Sequence, residues 1–288
     1  MRGSAVSSPA LDVFAYPFMV HALIAGSIVA VTSGVIGWFM VIRRQTFAGH
    51  AITLAAFPGA AGAALLGWNT TAGYFLSCLA IAWILALSTG RSTERSRTTE
   101  SAAIGTLLAF LLACGYLFAA LSGTLLSETT QTLFGFVFGI SNRQIAVLAL
   151  TSAVILLALG MVFRPLFFTS IDPIVAASRG LSTGVLGVVF LSLLALTGAQ
   201  TTQITGALLA FPLLVLPPAI ARDLTSSPQA SLVTSILIGL GAVWIGLIAA
   251  YYTSYPSGFC VTTPAFVAFV AVRTVRGRRP SVRATEVT

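Results

Sequence analysis

The sequence predicts an all-α, polytopic membrane protein. Apolar residues make up 57% of the 288 residues, charged residues only 8%, and the mean hydropathy is +0.98. The surface of a water-soluble domain does not tolerate this composition, and several apolar stretches reach the roughly 20 residues that a helix needs to cross a bilayer. The stretches are continuously apolar and do not alternate with polar residues, which disfavours a transmembrane β-barrel.

Nine apolar stretches are candidate spans, because each is bounded by charged residues, Pro, Gly or Ser/Thr clusters. Two of them, 50–67 and 258–272, are short and contain Gly and Pro, which is typical of broken or re-entrant segments. The sequence therefore predicts eight or nine transmembrane helices within residues 18–272. The nine stretches are 18–42, 50–67, 72–89, 102–122, 145–163, 183–198, 203–221, 231–252 and 258–272.

The arginines predict the orientation in the membrane. All 15 basic residues are arginine, and the net charge is +8. If all nine stretches cross, only Arg2 and Arg143 lie on one side and every other arginine lies on the opposite side. The positive-inside rule then places the Arg-rich tail, 273–288, in the cytoplasm and the N-terminal segment, 1–17, outside. Because the arginines occupy loops and a tail near lipid headgroups, their charge indicates topology and does not indicate nucleic-acid binding.

The sequence carries no catalytic motif. The cysteines Cys78, Cys114 and Cys260 are scattered without a CxxC spacing, and no Gly-rich nucleotide loop, HExxH motif or Ser/His/Asp set occurs. The acidic residues fall in loops or at span ends, which argues against a proton-coupled carrier. We therefore predict no enzyme activity and no bound cofactor, so a gradient or a separate subunit must supply the energy for any transport.

The segment 164–182 is the longest predicted insertion on the arginine-rich side. Within it, Asp172-Pro173 followed by Ile, Val, Ala and Ala predicts an N-capped short helix that ends near Gly180. Such a helix is not needed to connect two spans. Two interpretations stay open: an interfacial helix on the lipid headgroups, or a docking element for a cytoplasmic partner.

His50 is the ionisable side chain best placed to enter the membrane. Thr53 follows three residues later, and Pro58-Gly59 follow two turns later. An imidazole is a common ligand of transition metals, and Pro and Gly release backbone carbonyls toward a cavity. The alternative is that His50 caps a helix or bonds to a carbonyl near the interface.

Three motifs, in this order and spacing, make residues 18–272 similar to the permease subunits of bacterial metal-ion ABC transporters, the ABC-3 family. They are GVIGWFMVIRRQTFAGHAITLAAFPGAAGAALLG, then SAAIGTLLAFLLACG with LFGFVFG, then the stretch from TSIDPIVAASRGL to LPPAIARDLT. This family imports manganese, zinc or ferrous iron. The resemblance implies a homodimeric permease in the bacterial inner membrane, a separate cytoplasmic ATP-binding subunit, and an extracytoplasmic metal-binding protein.

The resemblance also implies roles for particular residues. The family's second span reads Gly-Asp-Ala-x-Ser-His-Ala, with inward-facing metal contacts. Here Gly49 is retained, His50 stands at the Asp position, Thr53 at the Ser position and Leu54 at the His position. This pattern implies that His50, with Thr53, contacts a divalent metal in passing and holds it weakly. The residues implied to form the ATPase-coupling contact are Asp172, Pro173, Ala176, Ala177 and Gly180.

Two other functions remain alternatives on the sequence alone. One is an ABC importer permease for a metal chelate, because a chelate does not need the ligand pair that Leu54 interrupts. The other is a membrane scaffold subunit that transports nothing. Neighbouring genes for an ATPase and a metal-binding lipoprotein would favour import over the scaffold.

Overall fold

The structure, a computed structural model, describes residues 16–89, 97–123, 132–135, 137–253 and 255–277. The predicted N-terminal segment 1–17 therefore lies outside the described residues except for its last two, as does the tail beyond Gly277. A 3-10 turn at Val137–Gly139 precedes α6. The α-helices are α1 (Pro17–Ile42), α2 (Thr46–Leu54), α3 (Ala56–Leu65), α4 (Thr70–Thr89), α5 (Arg97–Leu121), α6 (Asn142–Ile171), α7 (Pro173–Ser178), α8 (Thr183–Thr205), α9 (Ala207–Leu224), α10 (Pro228–Tyr252) and α11 (Ser257–Gly277).

The predicted all-α, polytopic fold is confirmed. Among the described residues, nine helical stretches are long and apolar enough to cross a membrane. Helices α2 and α3 together form one of these stretches, Thr46–Leu65, because only a break at Ala55 separates them. The break follows from Pro58, which has no N–H to donate to the carbonyl of Leu54. Two segments left eight spans open in the sequence, and both are long enough to cross: the first is the interrupted stretch Thr46–Leu65, and the second is Ser257–Val275.

Serine caps start three of the long helices. Ser141 forms a capping box with Gln144 at the start of α6, and the side chains of Ser182 and Ser227 accept hydrogen bonds at the starts of α8 and α10. Each cap satisfies a backbone N–H that the first helical turn leaves without a partner. The caps define where the chain re-enters the apolar layer.

Helix α1 is the central helix. Its most apolar stretch is 67% buried inside the protein, compared with 17% for α4 and 22% each for α5 and α6. It packs against α6, α8, α9 and α10. At Gly37 a Cβ atom would lie 2.1 Å from the carbonyl oxygen of Leu214, so glycine is needed for α9 to approach α1. Helices α4 to α6 form the least buried part of the described bundle.

Side-chain contacts along α1 fix the directions of its neighbours. Ser33 contacts Thr201 of α8, while Arg222 near the end of α9 donates to the carbonyl of Val41, at 3.4 Å. Helix α9 therefore runs parallel to α1, and both end where Arg273 of α11 pairs with Asp223 at 3.4 Å. We call this the arginine-rich end. The opposite end carries a group of aromatic rings in mutual contact: Tyr16, Phe18, Phe138 and Tyr251.

Helix α6 is longer than the sequence predicted. The expected span ended at residue 163 and a loop began at Arg164, but the helix continues through Pro165 to Ile171. The reason is packing beyond the proline: Leu166 is fully buried, and the ring of Phe167 stacks on Trp38 with centroids 5.9 Å apart. The first part of the predicted insertion, 164–171, therefore belongs to α6, and a separate segment begins only after Ile171.

The break between the sixth and seventh predicted spans also lies elsewhere. The sequence placed it at 199–202, whereas α8 continues to Thr205 and turns at Gly206, whose φ is +83°. The hydroxyls of Thr197, Thr201, Thr202 and Thr205 each donate to the carbonyl four residues earlier, so they do not interrupt the helix. A Cβ at Gly206 would lie 2.4 Å from the backbone nitrogen of Gly135, so only glycine fits the turn.

Candidate functional site

His50 lies one turn into α2, within the membrane-spanning part of the protein. Its ring is half-buried and packs against the ring of Phe211 in α9, with centroids 4.4 Å apart. The Nδ1 atom is buried and has no hydrogen-bond partner among the described residues. A buried polar atom without a partner is costly and uncommon in proteins, so it marks a position for a ligand or for water. Sequence reasoning placed His50 in the membrane but gave no indication of Phe211.

Thr53 is not directed at the imidazole. Its hydroxyl donates to the backbone carbonyls of Gly49 and His50, at 3.1 and 3.0 Å, and the side chain is fully buried. Its methyl group packs against Gly198 of α8, where an added Cβ would lie 3.0 Å away. The two predicted metal contacts, His50 and Thr53, therefore lie on one helix turn, but the Thr53 hydroxyl already donates its proton to backbone carbonyls.

Leu54, at the position where the family pattern has histidine, faces a closed apolar cluster. The side chain is only 4% exposed. A leucine side chain has no atom that coordinates a metal ion, and this one packs in an apolar cluster. The cluster consists of Leu54, Phe57, Leu133 and Ala207, with Leu108 and Leu112 of α5 packed against it.

The segment after α6 forms the short capped helix that the sequence predicted. The carboxylate of Asp172 accepts hydrogen bonds from the backbone N–H groups of Ile174 and Val175, at 3.1 and 2.9 Å. Pro173 occupies the first turn, and Gly180 has a φ of +80°, which ends the segment. We call residues 172–180 the coupling segment, after the role that the family resemblance implies for it.

The coupling segment presents apolar side chains to solvent. Ile174 is 81% exposed and Ala177 is also exposed, as is Ile171 just before the segment, whereas Ala176 is fully buried against the protein. The guanidinium of Arg179 lies 5.2 Å above the ring of Phe168, which fixes the end of α7 to the end of α6. Exposed apolar groups on such a helix are typical of a surface that contacts a protein partner or the membrane.

The comparison with known proteins identifies the family. The model of the ABC 3 transport family matches residues 15–276. The chain belongs to this family. It is therefore a multi-pass membrane subunit of an ABC transporter, and the resemblance found in the sequence is confirmed.

Named relatives cover nearly the whole chain. A "Probable metal transport system membrane protein" of Thermotoga maritima is 30% identical over 90% of this chain and 90% of its own length. The manganese transport system membrane protein MntC of Halalkalibacterium halodurans is 28% identical over 90% of this chain and 87% of its own length. Among solved structures, PsaBC from Streptococcus pneumoniae, in complex with Fab, superposes with a TM-score of 0.80 at 25% identity, covering 91% of this chain and 93% of its own.

This ABC 3 family member also contains a buried hydroxyl and amide network that sequence reasoning missed. Ser33 contacts Thr201 at 2.9 Å, and Ser152 bridges Thr32 and the Oε1 atom of Gln200, at 3.1 and 3.2 Å. The network joins α1, α6 and α8 deep in the bundle. Its signal in the sequence is the run of small and polar residues at 197–202, of which the sequence prediction took 199–202 as a break between two spans. Gln200 Nε2, like His50 Nδ1, has no partner among the described residues.

No preformed metal cluster occurs in the part of the chain that the structure describes: no three His, Cys, Asp or Glu side chains come together there. The candidate site is therefore a single imidazole beside Phe211 and a proline-interrupted helix. Such a site can offer one nitrogen ligand to a passing divalent ion and cannot by itself complete the coordination shell.

Proposed function

We propose that this chain is the permease subunit of an ABC importer that moves a divalent transition-metal ion, manganese in the first instance, into the cytoplasm. The family match over residues 15–276 carries the proposal. The relative from Halalkalibacterium halodurans, named as a manganese transport protein, supports manganese as the first metal to test, before zinc and iron. Metal is the cargo in this proposal, and no cofactor is assigned to the chain.

The proposed role of His50 is a transient contact for the ion. A buried, unpartnered nitrogen beside an apolar ring supports a ligand position that is open to a passing ion. One imidazole compensates a divalent ion only partly for its lost hydration, so the contact favours transit over storage. Thr53 can contribute its hydroxyl oxygen only as an acceptor, because its proton is donated to the backbone.

The proposed partners follow from the two ends of the molecule. The coupling segment, with Asp172, Pro173, Ala176, Ala177 and Gly180, docks on a separate cytoplasmic ATP-binding subunit that hydrolyses ATP. An extracytoplasmic metal-binding protein delivers the ion at the opposite end, and a second copy of this chain completes the pathway. The exposed apolar surface of the coupling segment supports the first of these contacts.

The proposed localisation is the bacterial inner membrane, with the arginine-rich end in the cytoplasm. The test uses Ala5→Cys and Thr285→Cys in a background in which Cys78, Cys114 and Cys260 are replaced by alanine. A membrane-impermeant maleimide added to intact spheroplasts should label position 5 and leave position 285 unlabelled until the membrane is opened. Labelling of both positions from outside would contradict an odd number of spans.

The decisive experiment is transport by the purified complex in proteoliposomes. We expect uptake of Mn²⁺ that requires ATP, the ATP-binding subunit and the metal-binding protein. The same assay with Mn²⁺ held in a strong, membrane-impermeant chelate tests the chelate alternative. Uptake of the chelate and not of the free ion would favour a chelate importer, and the absence of any ATP-dependent uptake would leave the scaffold alternative.

A further inference from the structure

Arg43 lies in the turn between α1 and α2, where its side chain contacts three other parts of the protein. Its Nη1 atom donates to the hydroxyl of Ser170 at 3.2 Å, and its Nε atom donates to the side-chain oxygen of Gln45 at 3.3 Å. The guanidinium carbon lies 5.2 Å from the centre of the Phe190 ring in α8. One side chain therefore connects the end of α6, the start of α2 and the side of α8.

The partners of Arg43 stand directly beside both predicted site regions. Ser170 precedes the capping residue Asp172 by two positions, so it lies at the base of the coupling segment. Gln45 is the N-cap of α2, and its carbonyl accepts the backbone N–H of Gly49 at 2.9 Å. His50 is the next residue. Arg43 thus provides a polar connection between the end of α6, next to the coupling segment, and the N-cap of the helix that carries His50.

The environment of Arg43 differs from that of its neighbour Arg44. Arg43 is half-buried, and burial lowers the pKa of its guanidinium. No carboxylate pairs with it among the described residues. Arg44 is exposed, as expected for an arginine that serves only as a topology signal. Withdrawing a guanidinium from water is unfavourable unless hydrogen bonds and an aromatic face compensate, so its position indicates a use beyond topology.

We infer that Arg43 is a positioning residue that transmits displacement of the coupling segment to α2 and therefore to His50. This inference rests on the proposed function. Arginine suits the task because its planar fork holds Ser170 and Gln45 at the same time, whereas a lysine ammonium on a flexible stem does not keep both partners in fixed geometry. When the ATP-binding subunit moves the coupling segment, Ser170 moves with it, and the guanidinium passes the displacement to the N-cap of α2.

The test measures the number of Mn²⁺ ions imported per ATP hydrolysed by the complete complex in proteoliposomes. The variants are Arg43→Lys, Ser170→Ala and the double variant. Ser170→Ala is mild, so it carries the test if Arg43→Lys assembles poorly. The matched controls are Arg44→Lys, at the exposed neighbour, and Thr169→Val, which removes a hydroxyl that donates to the carbonyl of Leu166, as Ser170 also does.

We expect the ratio of import to hydrolysis to fall roughly tenfold in both single variants, as for a lost hydrogen bond to a charged group. The double variant should show no further fall, because both changes break one connection. A purely structural role would lower import and hydrolysis together and leave the ratio unchanged. A wild-type ratio in both single variants, additive effects in the double variant, or an equal fall in the controls would overturn the inference. A wild-type complex that imports no Mn²⁺ would instead refute the proposed function.

Discussion

The His50 turn of α2 and the coupling segment differ in the kind of group that each leaves without a partner in the protein. In the coupling segment every capping interaction is made within the segment, and what remains exposed is apolar, notably Ile174. The His50 ring packs against Phe211, and what remains without a partner among the described residues is a polar atom, Nδ1. The first region is suited to an apolar protein partner and the second to a polar or charged ligand. The proposed function requires one partner of each kind: the ATP-binding subunit for the coupling segment and the metal ion for His50.

The largest effect is expected when a polar side chain is placed in the apolar cluster around Leu54, one turn after His50. Replacing Leu54 with histidine puts an imidazole into the cluster of Phe57, Leu133 and Ala207. We expect a loss of about 3 kcal/mol in the free energy of unfolding, from lost apolar packing and an unsatisfied polar group. Thermal unfolding of the purified permease in detergent measures it, with Leu54→Met as the control of similar volume.

An unchanged free energy of unfolding in Leu54→His would contradict a closed apolar cluster around position 54. It would mean that position 54 opens toward the pathway and that the family's pair of ligands could be restored here by one substitution. Increased retention of Mn²⁺ by the same variant would support that outcome independently.

The next largest effect concerns His50 itself. We expect His50→Ala to reduce Mn²⁺ import by about 10-fold to 100-fold, the range found when a metal site loses a supporting group, while assembly is unchanged. His21, near the other end of α1, provides the matched histidine, and His21→Ala should import normally. Import at the wild-type rate in His50→Ala would show that the imidazole is only a packing partner of Phe211.

The same two regions show what the sequence could and could not predict. The coupling segment depends on local signals: Asp172 and Pro173 start the helix, Gly180 ends it, and all its hydrogen bonds close within a few residues. The surroundings of His50 depend on α9, because Phe211 is distant in sequence and only packing brings it near. For the same reason, the sequence did not reveal that α6 continues past Pro165, where Phe167 stacks on Trp38.

The overall arrangement of spans was predictable because the bilayer imposes it. Continuous apolar stretches had to become helices, since backbone groups find no water in the hydrocarbon core. The polar residues inside those helices were not predictable in detail. A threonine that donates to the carbonyl four residues back, like Thr201, does not interrupt the helix, although in the sequence it resembles part of a loop.

A smaller effect is expected on the docking side. Replacing Ile174 with aspartate places a charge on the most exposed apolar side chain of the coupling segment. We expect the affinity for the ATP-binding subunit to fall about tenfold, because a fully buried isoleucine contributes roughly 1.5–3 kcal/mol. Titration of the purified subunit onto permease in nanodiscs measures it, with Ile174→Leu as the control. Unchanged affinity would place the docking surface elsewhere at the arginine-rich end.

The smallest effect tests whether the coupling segment must be preformed. Asp172→Ala removes the acceptor for the N–H groups of Ile174 and Val175 and should cost about 0.5–2 kcal/mol of local helix stability. The permease should fold normally, because α7 contributes little to the buried core, but the displaced helix should couple hydrolysis to import less efficiently. Asp172→Asn, which keeps a capping oxygen, should behave as wild type in the proteoliposome assay. If Asp172→Ala also imports Mn²⁺ normally at normal expression, the coupling segment is shaped by its partner on docking and does not need its own cap. The contrast with the His50 turn would then rest on the exposed apolar surface alone.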